Sequence, residues 1–141
     1  MGVGSWSVKL DAIVFDCADA APLARFWAAA LGWQVAPYEE DELARLSAEG
    51  VDDPEDDPSV MVEPPEDSGL PVLFFTEVPE PKEVKNRVHL DVTADDAIHD
   101  EVQRLQELGA RLRNWGEADG TTWAVMLDPE GNEFCVMPPE G

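Results

Sequence analysis

Arg87, His89 and Asp91 alternate within the run Asn86-Arg87-Val88-His89-Leu90-Asp91-Val92. In extended backbone, alternate side chains share one face, so the sequence predicts these three together. A histidine changes charge near neutral pH and serves as a general acid or base. Asp91 could orient it or hold a cation. Residues two apart on a strand lie about 7 Å apart, so rotamers decide whether the two touch. Three readings stay open for the trio: a structural polar cluster with Arg87 paired to an acid, a ligand contact, and acid/base catalysis by His89. Cys135 becomes a nucleophile only where a base such as His89 stands close enough to make its thiolate. A buried cysteine is otherwise an inert small hydrophobe. Cys17 has no motif around it, and His99 lies off the apolar stripe of its predicted helix.

The tryptophans divide by context. Trp27 belongs to an apolar helical face and reads as core. Trp33 and Trp115 sit at strand ends, and Trp6 near the N-terminus suits an interface. Trp123 shares a strand face with Val125 and Leu127, and periodicity leaves open whether that face is core or binding surface. No phosphate-cradling glycine loop, serine-nucleophile elbow or Cys-x-x-Cys pair is present.

The elements that must position these residues repeat once along the chain. Strand signals over residues 8 to 16 lead to Asp19, expected as a helix N-cap, with Pro22 in the first turn. Leu23, Phe26, Trp27, Ala30 and Leu31 then mark one helical face, and Gly32 ends the helix. Strands follow at Trp33 to Tyr38, Val60 to Glu63 and Pro71 to Glu77, with a short helix over Glu42 to Glu49. The second half starts with a strand at Arg87 to Thr93 and a capping box at Thr93 and Asp96. Its helix carries Ile98, Val102, Leu105 and Leu108 on one stripe and stops at Gly109. Strands at Arg111 to Trp115, Thr122 to Leu127 and Glu133 to Met137 complete it, with Asp128-Pro129-Glu130-Gly131-Asn132 as the last turn. Asp19 to Gly32 and Asp96 to Gly109 have the same spacing, and each half closes on an aromatic strand and Pro-Glu. The expectation is an α+β fold of two β-α-β-β-β modules, at about 8–80 and 87–140, forming a cup-shaped mixed sheet with helices outside.

At 141 residues the chain reads as a single domain, 1–141. No apolar run approaches the roughly 20 residues of a membrane span, and no secretory signal is visible. Two cysteines are too few for a disulfide framework. Together these predict a cytoplasmic protein with no membrane association. The net charge of −22 argues against nucleic acid, whose phosphates need concentrated Lys and Arg. Thirteen of the thirty-one acids fall between residues 39 and 67 beside a single base, Arg45. This acidic insertion reads as a solvated, self-repelling segment or as an electrostatic funnel for a cationic ligand.

Three pieces in order resemble the vicinal oxygen chelate superfamily, which holds the glyoxalase-like and bleomycin-resistance-like proteins. They are Asp19 through Phe26-Trp27 to Leu31-Gly32-Trp33, Asn86 to Val92 through Asp95-Asp96 to Leu108-Gly109-Ala110, and the hairpin Asp128 to Phe134. The resemblance covers nearly the whole chain outside the acidic insertion. It implies four metal-ligand positions facing the cup, which fall here on Ala12, Phe75, His89 and Cys135. Only His89 is a good donor for a hard divalent ion, so no metal and no other cofactor is expected. The resemblance also implies that the His89 face lines the cup and that two chains pair as a homodimer. Phe75, Arg87, His89, Asp91, Trp123 and Cys135 become the candidate ligand-binding residues. An aromatic cup with Asp91 at its base suits a planar or cationic small organic molecule. The expected function is binding of such a molecule between the modules. The alternatives are a lyase, isomerase or dioxygenase-like enzyme using His89, and a protein-interaction module using the acidic segment.

Overall fold

The structure is a computed structural model and describes residues 7–140; Trp6 lies outside the described residues. The first module runs through Ala12–Cys17 (β1), Ala20–Leu31 (α1), Gln34–Val35 (β2), Glu40–Ala48 (α2), a 3-10 turn at Pro54–Asp56, Ser59–Glu63 (β3) and Val72–Glu77 (β4). The second runs through Leu90–Thr93 (β5), Ile98–Leu108 (α3), Arg111–Ala118 (β6), Thr121–Leu127 (β7) and Glu133–Met137 (β8). Each module forms its own four-stranded mixed sheet, ordered β1-β4-β3-β2 and β5-β8-β7-β6. In both, the first strand pairs parallel with the last and the other pairings are antiparallel. The helix after the first strand makes that parallel return possible. The repeat seen in the sequence is thus a repeat of topology.

Strand alternation decides which side chains face the helices. Val60, Val62, Leu73 and Phe75 point toward α1 and join Leu23, Phe26 and Trp27 in the buried cluster, with the partly buried Phe15 packed against it. From the second module, Ala124, Met126, Phe134 and Val136 enter the same cluster beside Val102 and Leu105 of α3. Phe15 stacks on Phe75 at 4.9 Å, and Trp27 meets Phe134 edge-on at 5.0 Å. Each such ring contributes about 1.5–3 kcal/mol by burial and each aromatic pair about 0.5–1.5 kcal/mol more. Because Trp27 and Phe134 come from different modules, this term joins them.

The join is also polar. Trp27 Nε1 donates to Asp128 Oδ2 at 3.0 Å, with both residues buried. Asp128 in turn accepts from the backbone N–H of Glu130 and Asn132 and from the Asn132 amide. The Asp-Pro-Glu-Gly-Asn segment is therefore a knot tied to α1 as well as a turn.

One expected helix cap keeps its place and the other is corrected. Asp19 occupies the N-cap position of α1, but its side chain makes no capping bond. Carboxylates from far away do that work. Glu130 accepts from Ala18 N and Asp19 N at 2.7 and 2.9 Å, and Glu77 accepts from Ala20 N at 3.1 Å. A negative group at a helix N-terminus meets both the unpaired N–H groups and the dipole. For α3, Ala97 is the N-cap and no capping box forms; Asp96 accepts from Ala97 N. Gly32 does end α1, with φ 70° and its N–H on Ala28 O.

Two strand expectations shrink. The strand after α1 covers only Gln34–Val35, and β5 starts at Leu90 rather than Arg87. The acidic segment is engaged with its own chain. Leu46 of α2 is buried, Arg25 of α1 grips both oxygens of Glu55 at 2.6 and 2.9 Å, and Tyr38 donates to Asp57 at 2.7 Å.

Candidate functional site

The faces turned away from the helices stay open. On the first module, register aligns Val14, Phe74 and Met61 across β1, β4 and β3, with Asp16, Thr76 and Ser59 in the next row. On the second, Asp91, Cys135, Val125 and Asn114 align across β5, β8, β7 and β6. Glu133 and Leu127 form the row to one side, and Met137 lies on the other, in line with Trp123 and Gly116.

In the second module's central row, three donor side chains meet. His89 Nε2 lies 3.2 Å from Asp91 Oδ1. A donor atom from each of His89, Asp91 and Cys135 lies within 4.8 Å of the other two. Parallel pairing of β5 with β8 sets Cys135 directly beside Asp91, and His89 joins them two residues earlier on the same face. Burial, then the Asp91 carboxylate, pushes the Cys135 thiol above its ordinary range. Cys135 is therefore held as a thiol, the opposite of an activated nucleophile.

Beside the cluster lies a group that sequence reasoning missed. The Glu133 side chain is 8 % exposed, accepts from Asn86 N at 3.0 Å and pairs with Lys82 Nζ at 3.3 Å and Arg113 NH1 at 3.7 Å. Burial alone would raise its carboxyl, but the Asn86 N–H and the Lys82 ammonium hold it below the usual carboxylate range. Its alternation with Cys135 on β8 was the available signal. On the other side of the cluster, the Trp123 indole lies over Gly116, where a β-carbon would stand 2.4 Å from the ring. That glycine is the seat of the ring, and it puts Trp123 on the open face.

Two hollows flank these faces. One of about 230 Å³ lies at the seam between the modules and is lined by Val14 and Asp16 of β1 with Val88, His89 and Glu133. The other, about 590 Å³, lies between α2 and the open face of the first sheet. Met61 and Phe74 are in its floor, Tyr38 and Leu46 in its wall, and Glu39, Glu42, Glu49, Asp57 and Glu63 around it. Its one cation, Arg45, is 3.4 Å from Glu49. Val14, Phe74 and Met61 share a register row, so one line of side chains runs from the seam hollow into the acidic one.

The sequence profile of the glyoxalase-like domain family matches residues 12–137. The chain belongs to the glyoxalase-like domain family. This places it in the vicinal oxygen chelate superfamily. Among solved structures it is similar to a glyoxalase/bleomycin resistance protein/dioxygenase family enzyme from Burkholderia phytofirmans PsJN, at 18% identity and TM-score 0.66, covering 94% of this chain and 100% of that one. It is similar to a glyoxalase-related enzyme from Fulvimarina pelagi, at 14% identity and TM-score 0.63, covering 94% and 88%. It is also similar to TnmS3, an antibiotic binding protein from Streptomyces sp. CB03234, at 16% identity and TM-score 0.60, covering 96% and 99%. No curated protein sequence matches it. At these identities the likeness is one of fold.

Of the four positions that the resemblance aligns with metal ligands, Ala12 offers only a methyl group. Phe75 is fully buried on the helix side of its sheet, against Phe15. This corrects the expectation that Phe75 lines the cup; its neighbour Phe74 does so. Arg87 is corrected too. It lies in the bend at residues 87–88, where strand alternation is broken, and it lines a separate hollow with Lys82, Lys85 and Glu130. His89, Asp91, Cys135 and Trp123 do share the open face. His99 is exposed, as its helix position suggests, and its ring lies 4.8 Å from that of Trp115. Among the described residues, no helix is long and apolar enough to cross a membrane.

Proposed function

We propose that this glyoxalase-like protein binds a small organic molecule, flat and cationic, on the open faces of its two sheets, without the superfamily's four-donor metal centre. One observation carries the reading. The hollow under α2 combines apolar and aromatic surface, Met61, Phe74 and Tyr38, with five carboxylates and a single paired cation. Apolar floors bind the body of a ligand while a few polar groups select it, and aromatic faces with carboxylates favour organic cations. The seam hollow and Trp123 extend the same open surface toward the second module. Val14 and Val88 are exposed apolar side chains at the seam, continued by Val8 and Leu10; they support pairing with a second copy of the chain, which light scattering would measure.

The test compares proflavine, a planar aromatic cation, with fluorescein, a planar aromatic anion, by fluorescence anisotropy. Saturable one-to-one binding of proflavine is expected, weakened at least tenfold in Glu42→Gln/Glu63→Gln. A control pair with the same net charge, Glu107→Gln/Glu117→Gln, should bind as the parent does. Equal loss in both pairs would reduce the effect to overall charge, and equal binding of both dyes would refute the reading. An enzyme reading has one specific support, the exposed His89 ring beside Asp91, which could orient it as an acid/base. It requires a turnover that His89→Ala abolishes while the fold is kept.

A further inference from the structure

We infer that His89, Asp91 and Cys135 form a three-donor zinc site contained within the second module. The expectation of no metal counted only the superfamily's four positions. Asp91 is not one of them, and it supplies the donor that the count lacked.

Geometry supports the inference first. Zinc bonds of about 2.0–2.3 Å in a tetrahedron separate neighbouring ligand atoms by roughly 3.3–3.6 Å. His89 Nε2 and Asp91 Oδ1 already stand 3.2 Å apart. All three donor atoms lie within 4.8 Å of one another, so closing onto an ion needs side-chain movements of about 1 Å rather than backbone change. The backbone holds the set. Asp91 and Cys135 are register partners on hydrogen-bonded strands, and His89 and Asp91 are two apart on the same face.

Donor chemistry selects the ion. Hard ions such as Mg and Ca want six or more oxygens, and this set has one carboxylate. Imidazole with thiolate favours zinc among the available divalent metals. On binding, the Cys135 thiol forms its bond to zinc as thiolate and gives one proton to solvent. Three protein ligands leave a fourth position for water or a small oxygen or nitrogen donor, the arrangement of open zinc sites. His89 and Asp91 are 41% and 56% exposed, so the donor set can be reached from the open surface. The Lys85 charge acts on Cys135 in favour of its thiolate, while it repels a bound cation. Glu133 is already committed to Lys82, Asn86 and Arg113 and is not counted as a ligand.

The full chain, stripped with chelator, would be titrated with zinc against a chromophoric competitor and separately with Co(II). One equivalent should bind, and Co(II) should give a thiolate-to-cobalt charge-transfer band. Cys135→Ser should abolish the band, and Cys17→Ala should leave it. Asp91→Asn should weaken zinc by more than the roughly 10–100-fold that losing an outer-shell partner costs. Asp91 is exposed and outside the core, so this variant reports even where a cysteine change disturbs folding. Absence of stoichiometric zinc, a band surviving Cys135→Ser, or unchanged zinc affinity in Asp91→Asn each overturns the site. Proflavine binding in the stripped protein reads out the organic site independently.

Discussion

Gly116 and Trp123 provide a quantitative test of how the second open face is built. A methyl at Gly116 would lie 2.4 Å from Cε2 and Nε1 of the indole and 2.6 Å from Cζ2, about 1 Å inside an ordinary contact of roughly 3.5 Å. The ring must lift. Losing on the order of 50 Å² of its buried surface costs about 1.3 kcal/mol, within the roughly 1–3 kcal/mol of overpacking. Against this, replacing glycine inside a strand returns about 0.5–1 kcal/mol of backbone entropy. Gly116→Ala should therefore destabilise the parent by up to about 2 kcal/mol, yet stabilise a Trp123→Ala background by about 0.5–1 kcal/mol. Urea unfolding of the two single variants and the double variant closes the cycle. A coupling of at least 1 kcal/mol is expected, with opposite signs for Gly116→Ala in the two backgrounds. The same stabilising change in both backgrounds would refute the seating of the indole, and with it the place of Trp123 on the open face.

Trp27→Phe removes the donor to buried Asp128 and part of the buried ring, so it should cost at least about 1.5–3 kcal/mol, read by thermal or urea unfolding. Cysteine reactivity should rank by environment in metal-free protein: burial, then the surrounding carboxylates, pushes Cys17 up to about 12, so at pH 8 it should resist iodoacetamide until the protein unfolds. Cys135 should react slowly in the parent and several-fold faster in Asp91→Asn, because removing the neighbouring charge returns its pKa toward the ordinary value; mass spectrometry of the labelled chain measures both. Glu133 is held below its ordinary 4.5, so the stability it adds is complete above that value and drains away as pH falls through the lower folded value. Glu133→Gln should flatten that part of the acid limb in a pH series of urea midpoints.

The periodic parts of the fold were legible in the sequence and the long-range polar parts were not. Leu23, Phe26 and Trp27 fall on one helical face, and the structure buries them there. The repeat predicted two modules of like topology, because patterning and turn residues specify local structure. Asp19 looked like a cap because its type and place were right. The N–H groups of Ala18, Asp19 and Ala20 instead found Glu130 and Glu77, which no local rule could pair with them. At the site, alternation correctly joined His89 to Asp91, where β5 is about to begin. It failed for Arg87, outside the strand, and for Phe75, where the spacing used to align the halves missed the cup-facing residue by one. A one-residue slip in a strand exchanges faces, and so Phe74 took the role. The hollow under α2 escaped notice because it depends on how the acidic segment folds back.

The clamp on α1 bears on the order in which the chain is made. Ala18 and Asp19 leave the ribosome 112 and 111 residues ahead of the Glu130 carboxylate that receives their N–H groups. At about 5–20 residues per second, that is a wait of roughly 6–20 s. Trp27 waits for Asp128 and Phe134 over nearly the same stretch. Throughout synthesis the first half presents an aromatic face whose partners do not yet exist, and a product cut short before the last hairpin would keep that face exposed to other chains. The final hairpin is thus the point at which the nascent protein stops being a hazard to its neighbours.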